Sequence, residues 1–170
     1  PPTHPPVSEQ EPEAWWSALL SAFDELREYL PRIACIAAGG QGHGLVMLDE
    51  NGRSLRPAKL WNDTESAPEA EYIRSIIPDS EFERLTGSLP APALTISKLL
   101  WTDIHHNGIL AKANHVMLPY DYIISRLCGR AVCEGGGTPG PSSFTADDNR
   151  RADGILDNIV TIVDKSVSHE

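Results

Sequence analysis

The sequence predicts an α/β domain, because segments with helical periodicity alternate with short runs that are typical of β-strands. The 170 residues are 41% hydrophobic and 22% charged, which is the composition of a chain that folds around a core. A chain of this length fits one domain and can bury about 70% of the surface that it exposes when unfolded. We therefore expect a single α/β domain with a core of its own.

An amphipathic helix is expected first, followed by a sheet. Pro12 suits the first turn of a helix, and apolar residues then recur at helical spacing as far as Tyr29. We expect the aromatic residues of this helix, Trp15 and Trp16, to lie in the core. Asn51-Gly52 is a hairpin turn signal between the last two strands of the sheet. The predicted strands span residues 33–38, 45–49 and 54–60.

The next part of the chain is predicted to be mainly helical. Local signals mark the ends of its elements: Pro68 is tolerated in a first turn, Pro78 stops a helix and Gly87 can close one. The capping-box pattern that starts at Ser80 opens a short helix. The predicted elements are helices at 64–77, from Ser80 to Gly87, from a Thr95 cap to Asn107-Gly108 and at 121–127, with a strand at 116–118.

The composition changes beyond Val132. The cluster from Gly135 to Gly140 predicts a flexible linker, and residues 146–169 show a modest amphipathic helical pattern. We therefore expect a folded domain over residues 1–132 and a divergent linker and helical tail over residues 133–170.

Charge and cysteine content exclude several classes of function. The formal net charge of −10 opposes binding to nucleic acid or to anionic lipid, and the adjacent pair Arg150-Arg151 lies beside Asp147-Asp148. The three cysteines are odd in number and lack CxxC spacing, which argues against a disulfide framework or a zinc site. We expect a protein of the reducing cytoplasm, with neither nucleic acid nor membrane as a partner.

The N-terminal sequence indicates an internal start. Pro1 to Pro6 show neither the basic nor the apolar part of a signal peptide, and no apolar run approaches membrane-spanning length. The chain also begins without an initiator methionine. We therefore expect it to begin inside a longer protein.

The segment Gly40-Gln41-Gly42-His43-Gly44 lies between two apolar runs. Its glycines allow a ligand to approach the backbone closely, and its glutamine and histidine can hydrogen-bond to hydroxyl groups, so the segment suits a sugar-binding loop. The alternative is a glycine-rich turn between two buried strands. A dinucleotide or phosphate loop is not indicated, because no helix is expected to open at these glycines and no Lys-Ser or Lys-Thr pair follows them.

Six short motifs share one order and spacing between residues 8 and 132. They are Gly40-Gln41-Gly42-His43-Gly44, the strand ending at Asp49, Leu60-Trp61-Asn62-Asp63-Thr64, Leu85-Thr86-Gly87, Thr95-x-x-Lys98-Leu99-x-Trp101 and Leu118-Pro119-x-Asp121-Tyr122. In this order they resemble the N-terminal domain of the FGGY carbohydrate kinases. The opening segment Glu9-Gln10-x-Pro12-Glu13-x-Trp15-Trp16 resembles the same family. Within it, the similarity is greatest to the members that phosphorylate xylulose.

The resemblance implies a ribonuclease-H-like α/β fold of the actin and hexokinase type, incomplete at its start. This domain would be the first of two that close over sugar and ATP. His43 and the backbone at Gly42 are implied as sugar contacts, with Gln41 and Gly44 shaping the loop. Further residues bordering the same cleft are implied to be Trp61, Asn62 and Asp63.

Two other matched residues are expected to be structural. Lys98 belongs to a family signature helix, where a lone lysine is more often a paired or solvated charge than a catalytic group. Asp121 is expected to cap the helix that it opens. The chain also departs from the family: Gly42 and Glu65 stand where members carry a larger side chain and an arginine, and residues from Cys133 onward match nothing in the family pattern.

The implied activity is ATP-dependent phosphorylation of a ketopentose, with D-xylulose as the expected sugar. In this family, magnesium neutralises the phosphates and an aspartate takes the hydroxyl proton. No aspartate of this chain matches the catalytic one, and the phosphate-binding hairpin and the C-terminal kinase domain are absent from it. We therefore expect ATP and Mg²⁺ to serve the full-length enzyme and none to bind this fragment, which would be inactive alone.

Two alternatives remain open at this point. One alternative is a non-catalytic remnant or interaction protein that keeps the kinase fold. The other is a metal-dependent hydrolase, although its candidate ligands sit on separate elements without ligand spacing. Those candidates are His43, Asp49, His105, His106 and His115.

Overall fold

The computed structural model describes residues 4–131 and 144–145, in which helices and short strands alternate as the sequence predicts. Short 3₁₀ turns lie at Leu30–Arg32 and Leu110–Lys112. In chain order, the elements are β1 (Glu9–Gln10), α1 (Pro12–Glu25), β2 (Val46–Leu48), β3 (Ala58–Lys59), α2 (Ala67–Ile76), α3 (Asp79–Thr86), α4 (Thr95–His105), β4 (His115–Met117), α5 (Pro119–Cys128) and β5 (Phe144–Thr145).

The strands form two small antiparallel sheets that meet at one bridge. β1 pairs with β3, with Glu9 opposite Lys59. β2, β4 and β5 form the other sheet in the order β2-β4-β5. A bridge between Leu45 and Lys59 joins the sheets, and in it the Leu45 amide donates to the Lys59 carbonyl at 2.8 Å. The backbone of Lys59 therefore lies between β1 and the start of β2.

The helices cover these sheets and enclose three apolar clusters. In one, Trp15 and Trp16 of α1 are half-buried and pack against core residues that include Met117 and Tyr122. Trp15 meets Tyr122 edge-on, with ring centroids 6.3 Å apart. A second cluster lies between α2, α3 and α4, and the third consists of Leu45, Met47 and Leu99 with partly buried neighbours. The tryptophans expected in the core thus pack on it from its margin.

Most helix boundaries follow the local signals of the sequence. Pro68 lies in the first turn of α2, Pro78 precedes α3, and Gly87 ends α3 with a φ of 73°. The N-cap positions of α4 and α5 are occupied by Leu94 and Leu118, which have no polar side chain, so the cap predicted at Thr95, the first residue of α4, is wrong. Asp121 is the third residue of α5 and lies in its first turn rather than at its N-cap. The Ser80 capping box is likewise not formed.

Two predicted strands differ from the structure. Residues 33–38 are not a strand, because no other strand among the described residues lies beside them; nearly all of the segment is exposed. The strand predicted at 54–60 is shortened to β3, with one further bridge between Leu48 and Ser54. The turn at Asn51-Gly52 forms as predicted, with Gly52 at a φ of 73°.

The predictions for the tail lie almost entirely outside the described residues. Only Phe144–Thr145 of that region is described, and it pairs with β4 at His115 and Val116. The domain boundary at residues 132 and 133, the linker and the tail helix therefore stay predictions. None of the helices within residues 4–131 has the length and apolarity needed to cross a bilayer.

A buried lysine ties the strands to α4. The Lys59 side chain is 0% exposed, and its Nζ lies 3.1 Å from Asp63 Oδ1, 3.3 Å from Glu9 Oε1 and within bonding distance of Glu65 Oε2. The same Nζ is 3.7 Å from the centroid of the Trp101 ring on α4. A buried charge is tolerated only when it is paired, and here β1, the 60–65 turn and α4 all supply partners.

Replacing Lys59 should therefore destabilise the fold. In Lys59→Met the three carboxylates lose their common cation, and removal of one partner of a buried ion pair costs about 3–5 kcal/mol. Urea unfolding followed by tryptophan fluorescence measures the loss. The control is Arg84→Met, which breaks an exposed pair with Glu81 and should leave the midpoint nearly unchanged. Equal midpoints for Lys59→Met and the parent chain would contradict this role.

Candidate functional site

The glycine segment forms an irregular loop that ends where Leu45 bridges to Lys59. Within it, His43 adopts a φ of 60°, the left-handed region that side chains rarely occupy. Gly44 is closely confined, because a Cβ there would lie 2.5 Å from Pro119 Cγ and 3.2 Å from the Lys59 carbonyl oxygen. At Gly42 a Cβ would meet no atom within 4 Å. The loop is therefore fixed at Gly44 and open at Gly42.

Helix α4 supports this loop from its first turns. The Thr95 hydroxyl donates to the Gly44 carbonyl at 3.5 Å. One turn later, the buried Lys98 Nζ donates to the carbonyl of Pro92 at 2.8 Å and to that of Ala93. Lys98 thus clamps the loop that precedes α4, and the structural role predicted for it is confirmed.

The surroundings of His43 favour a neutral imidazole. Its pKa is lowered from the ordinary value of 6.5, first because burial penalises the charged form and second because of the nearby Lys98 ammonium. Burial also lowers the pKa of Lys98 to about 7, against an opposing effect of Asp63. A neutral imidazole has one donor and one acceptor nitrogen, which is the pattern that a hydroxyl group can match.

Only part of the Trp61-Asn62-Asp63 turn is exposed to solvent. The Trp61 side chain is 56% exposed. Asn62 Oδ1 accepts from the Ser8 hydroxyl at 2.9 Å. Asp63 is buried, and its carboxylate accepts from the amides of Ser8 at 2.8 Å and Glu65 at 3.1 Å as well as from Lys59. Asp63 therefore shapes the turn from within, while Trp61 faces outward.

The bridge between Leu45 and Lys59 sets the two motifs beside each other in register. His43 lies two residues before Leu45, and Trp61 lies two residues after Lys59. Because the bridge is antiparallel, these positions lie on the same side of it along the two segments. That the glycine loop and the tryptophan turn border one cleft stays a prediction.

Gln41 is placed apart from His43. It lines a cavity of about 250 Å³ with Trp15, Pro119 and Tyr120, and His43 is not among the lining residues. Gln41 Oε1 is buried without a hydrogen-bond partner among the described residues. The two polar side chains of the loop therefore serve different surfaces, which the sequence alone does not reveal.

Neither magnesium nor a hydrolytic metal fits the described residues well. One group of three carboxylates, Glu9, Asp63 and Glu65, has oxygen atoms within 4.8 Å of one another. The Lys59 ammonium already pairs with all three, so a divalent cation would have to displace a buried charge. Asp49 instead accepts amides of its own turn, from Asn51 and Arg53. The ligand set of the hydrolase alternative is not assembled in the described part of the chain.

Comparison with known proteins identifies the family. A model of the N-terminal domain of the FGGY family of carbohydrate kinases matches residues 2–140. The chain belongs to the FGGY family. Xylulose kinase of Streptomyces rubiginosus is 35% identical over 153 residues, which cover 89% of this chain and 32% of that protein. Xylulose kinase of Escherichia coli K12 is 39% identical over 128 residues, covering 74% of this chain and 26% of that protein.

A solved FGGY structure has the same fold. The crystal structure of a xyloylose kinase from Brucella ovis matches with a TM-score of 0.66 at 37% sequence identity, and the match covers 74% of this chain and 26% of that chain. The expected fold class is thereby confirmed. The FGGY chain described here spans about a quarter to a third of the length of these relatives.

Sequence reasoning missed the residue that organises this FGGY site. Lys59 lies in a run predicted only as a strand, and the residues of that run do not mark it as buried. The spacing of Asp63 four residues after Lys59 and of Glu65 six residues after it was the available signal. This spacing predicts an ion pair only if a turn folds these carboxylates back on the lysine.

The confinement of Gly44 yields a matched pair of substitutions. Gly44→Ala places a Cβ against Pro119 and the Lys59 carbonyl, and overpacking of this kind costs about 1–3 kcal/mol. Gly42→Ala, two residues away in the same loop, meets open space and should leave stability nearly unchanged. Thermal unfolding measured by calorimetry compares them. Equal melting temperatures for the two variants would show that the loop is not held against Pro119.

The electrostatics of His43 can be measured directly. In an NMR titration its imidazole should become half-protonated below pH 6.5, because burial and the Lys98 charge both disfavour the imidazolium. Lys98→Met should raise the His43 pKa toward 6.5 without passing it, since the effect of burial remains. Lys112→Met, a change at an exposed lysine, is the control and should leave the value unchanged. A His43 pKa at or above 6.5 in the parent chain would contradict this arrangement.

Proposed function

We propose that residues 8–132 form the sugar-side part of an ATP-dependent kinase that phosphorylates a ketopentose, with D-xylulose as the substrate. Membership of the FGGY family supports the general class of activity. The names of the relatives support the sugar: two curated relatives are xylulose kinases, at 35% and 39% identity. Because the chain spans only part of those proteins, the activity belongs to the whole protein of which this chain supplies a portion.

The observation that carries the proposal is the antiparallel Leu45–Lys59 bridge, whose register puts His43 opposite Trp61. The neutral imidazole can donate to one sugar hydroxyl and accept from another, and an exposed indole offers an apolar face to the carbon-bound hydrogens of a sugar. The backbone of Gly42 and Gly44 would bring amide and carbonyl groups close to the sugar, since neither residue carries a side chain.

The remaining residues assigned to sugar binding have supporting roles in this proposal. Asn62 borders the cleft while its oxygen is held by Ser8. Asp63 fixes the turn that carries Trp61, and its carboxylate is already bonded inside the protein. Gln41 shapes the loop from the opposite side, where it lines the smaller cavity.

ATP and Mg²⁺ are assigned to the whole protein, and the described residues do not supply their site. The one group of three carboxylates in the described range is already paired with Lys59. Phosphoryl transfer therefore needs groups beyond those that the described residues provide. The chain's own contribution is to bind and orient the sugar, which is a substantial part of catalysis in a reaction that depends mainly on positioning.

Two departures from the family pattern, at Glu65 and Gly42, have different consequences under the proposed function. Glu65 replaces the usual arginine, and its carboxylate pairs with the buried Lys59 rather than facing a ligand. The substitution therefore adds a partner to an internal charge. Gly42 has no side chain to offer to the sugar, so we expect weaker binding or altered sugar preference compared with members that carry a larger residue there.

A second candidate function is a remnant or interaction protein that keeps the fold but binds no sugar. The observation in its favour is the exposed apolar segment at residues 33–38, in which Ile33 is 43% and Ile36 53% exposed. Exposed apolar surface of this kind is common at interaction sites.

Calorimetric titration with D-xylulose separates the two functions. If the chain binds the sugar, the titration should show weak, saturable heat. In His43→Ala the affinity should decrease about tenfold, because one hydrogen-bonding group to the sugar is lost. His4→Ala, at an exposed histidine near the start of the described chain, is the control and should bind as the parent does. Absence of saturable heat in the parent would favour the remnant.

A coupled ADP-release assay tests the division of labour. With D-xylulose, ATP and magnesium, we expect no turnover by this polypeptide alone, because its described residues provide no phosphate or metal site. Turnover that is lost on removal of magnesium would refute the claim that the chain supplies only sugar contacts.

A further inference from the structure

The loop that precedes α4, residues 91–94, is held in place by buried side chains; we call it the entry loop. Lys98, the fourth residue of α4, donates from Nζ to the carbonyl of Pro92 at 2.8 Å and to that of Ala93. The Ser66 hydroxyl also donates to the Pro92 carbonyl, at 3.0 Å. Both donor residues are 0% exposed. The entry loop is therefore fixed from inside, because breaking such a bond leaves a buried polar group unsatisfied.

The entry loop leads directly to the glycine loop. Helix α4 begins at Thr95, the residue that follows the entry loop, and the Thr95 hydroxyl donates to the Gly44 carbonyl at 3.5 Å. Gly44 is also confined by Pro119 and by the Lys59 carbonyl. His43 is the next residue along the glycine loop. A shift of the first turn of α4 would therefore act on the residue beside His43.

Lys98 also acts on His43 through its charge. After burial, the Lys98 ammonium is the second cause of the lowered His43 pKa. Burial lowers the pKa of Lys98 itself to about 7, while Asp63 opposes this shift and Lys59 adds to it. The ammonium and the neutral amine of Lys98 are therefore both populated near neutral pH.

The two protonation states of Lys98 hold the entry loop with different strength. An ammonium group donates charge-assisted hydrogen bonds, which are about twice as strong as bonds between neutral groups. A neutral amine can still donate to two carbonyls, but without the charge. The protonated form therefore holds the loop more firmly, and it also keeps the His43 imidazole neutral.

We propose that Lys98 is a positioning residue for sugar binding, which holds the entry loop and the glycine loop so that His43 is presented to the sugar. This inference rests on the proposed function. Because Lys98 is completely buried, it acts through the two loops and not by contact with the sugar. The sugar should bind more tightly when Lys98 is protonated, and by reciprocity the bound sugar should favour the protonated form.

Proton uptake on sugar binding tests the proposal in the parent chain. Titration calorimetry with D-xylulose at about pH 7.5, in two buffers of different ionisation enthalpy, measures the protons that are taken up or released. A preference of about fivefold for the protonated form is expected from the stronger hydrogen bonds. It implies uptake of about a third of a proton, and an affinity that falls about threefold between about pH 7 and about pH 9.

The sign of the proton change separates Lys98 from His43. A sugar that prefers the neutral imidazole causes His43 to release a proton, and most of that imidazole is already neutral at about pH 7.5. Net uptake at this pH therefore reports on Lys98.

Two substitutions at Lys98 separate positioning from stability alone. Arginine stays charged over this pH range, so Lys98→Arg should bind the sugar without proton uptake and without the loss of affinity at high pH. Lys98→Met has no donor and should bind about tenfold more weakly at about pH 7, also without uptake. Lys112→Met, at an exposed lysine, is the control and should keep both the affinity and the uptake of the parent. Where a variant does not fold, the uptake measured in the parent decides.

Several outcomes would overturn the inference. Saturable binding by the parent without proton uptake, or uptake that persists in both Lys98 variants, would contradict the positioning role and leave the proposed function intact. Absence of saturable heat over the whole pH range would overturn the proposed function and this inference with it.

Discussion

The buried ammonium of Lys59 is the constraint on which this structure depends. A fully buried cation requires partners, and it finds them in β1, in the turn after β3 and in the ring of Trp101 on α4. Because Glu9, Asp63 and Trp101 belong to three different parts of the chain, one charge fixes their relative positions. The backbone of the same residue bridges to Leu45, so the glycine loop is held by the same position.

From this anchor the wall proposed to face the sugar follows by short connections. The loop leaves the bridge at Gly44, where Pro119 and the Lys59 carbonyl leave no room for a side chain. His43 then turns through a left-handed conformation, and on the neighbouring segment Trp61 follows the bridge in the turn that Asp63 holds. The wall is therefore supported by buried groups whose own hydrogen bonds are directed into the protein. Under the proposed function, the same motifs contain both contacting and supporting residues.

How much the sequence could predict depends on whether the signal is local. Pro12, Pro68 and Gly87 mark helix ends through their own backbone preferences, and those ends are found where expected. The segment 33–38 has the composition of a strand. A strand also needs a neighbouring strand to pair with, and local sequence does not show whether one is present.

The candidate site shows the same division between local and tertiary information. The glycine loop and the tryptophan turn could be recognised from their motifs, and the chain belongs to the family that those motifs indicate. The separation of Gln41 from His43 depends on a left-handed residue that no composition rule requires. The burial of Lys59 depends on carboxylates and a ring brought together by folding. Both features needed the three-dimensional structure.

The proposed function requires that the glycine loop and the tryptophan turn form one wall that contacts a sugar. An NMR titration of the chain with D-xylulose can follow the His43 ring and the Trp61 indole N–H together. Both signals should shift with a single dissociation constant, while the indoles of Trp15, Trp16 and Trp101 remain in place. Shifts at either residue alone, or equal shifts at all four indoles, would contradict this requirement.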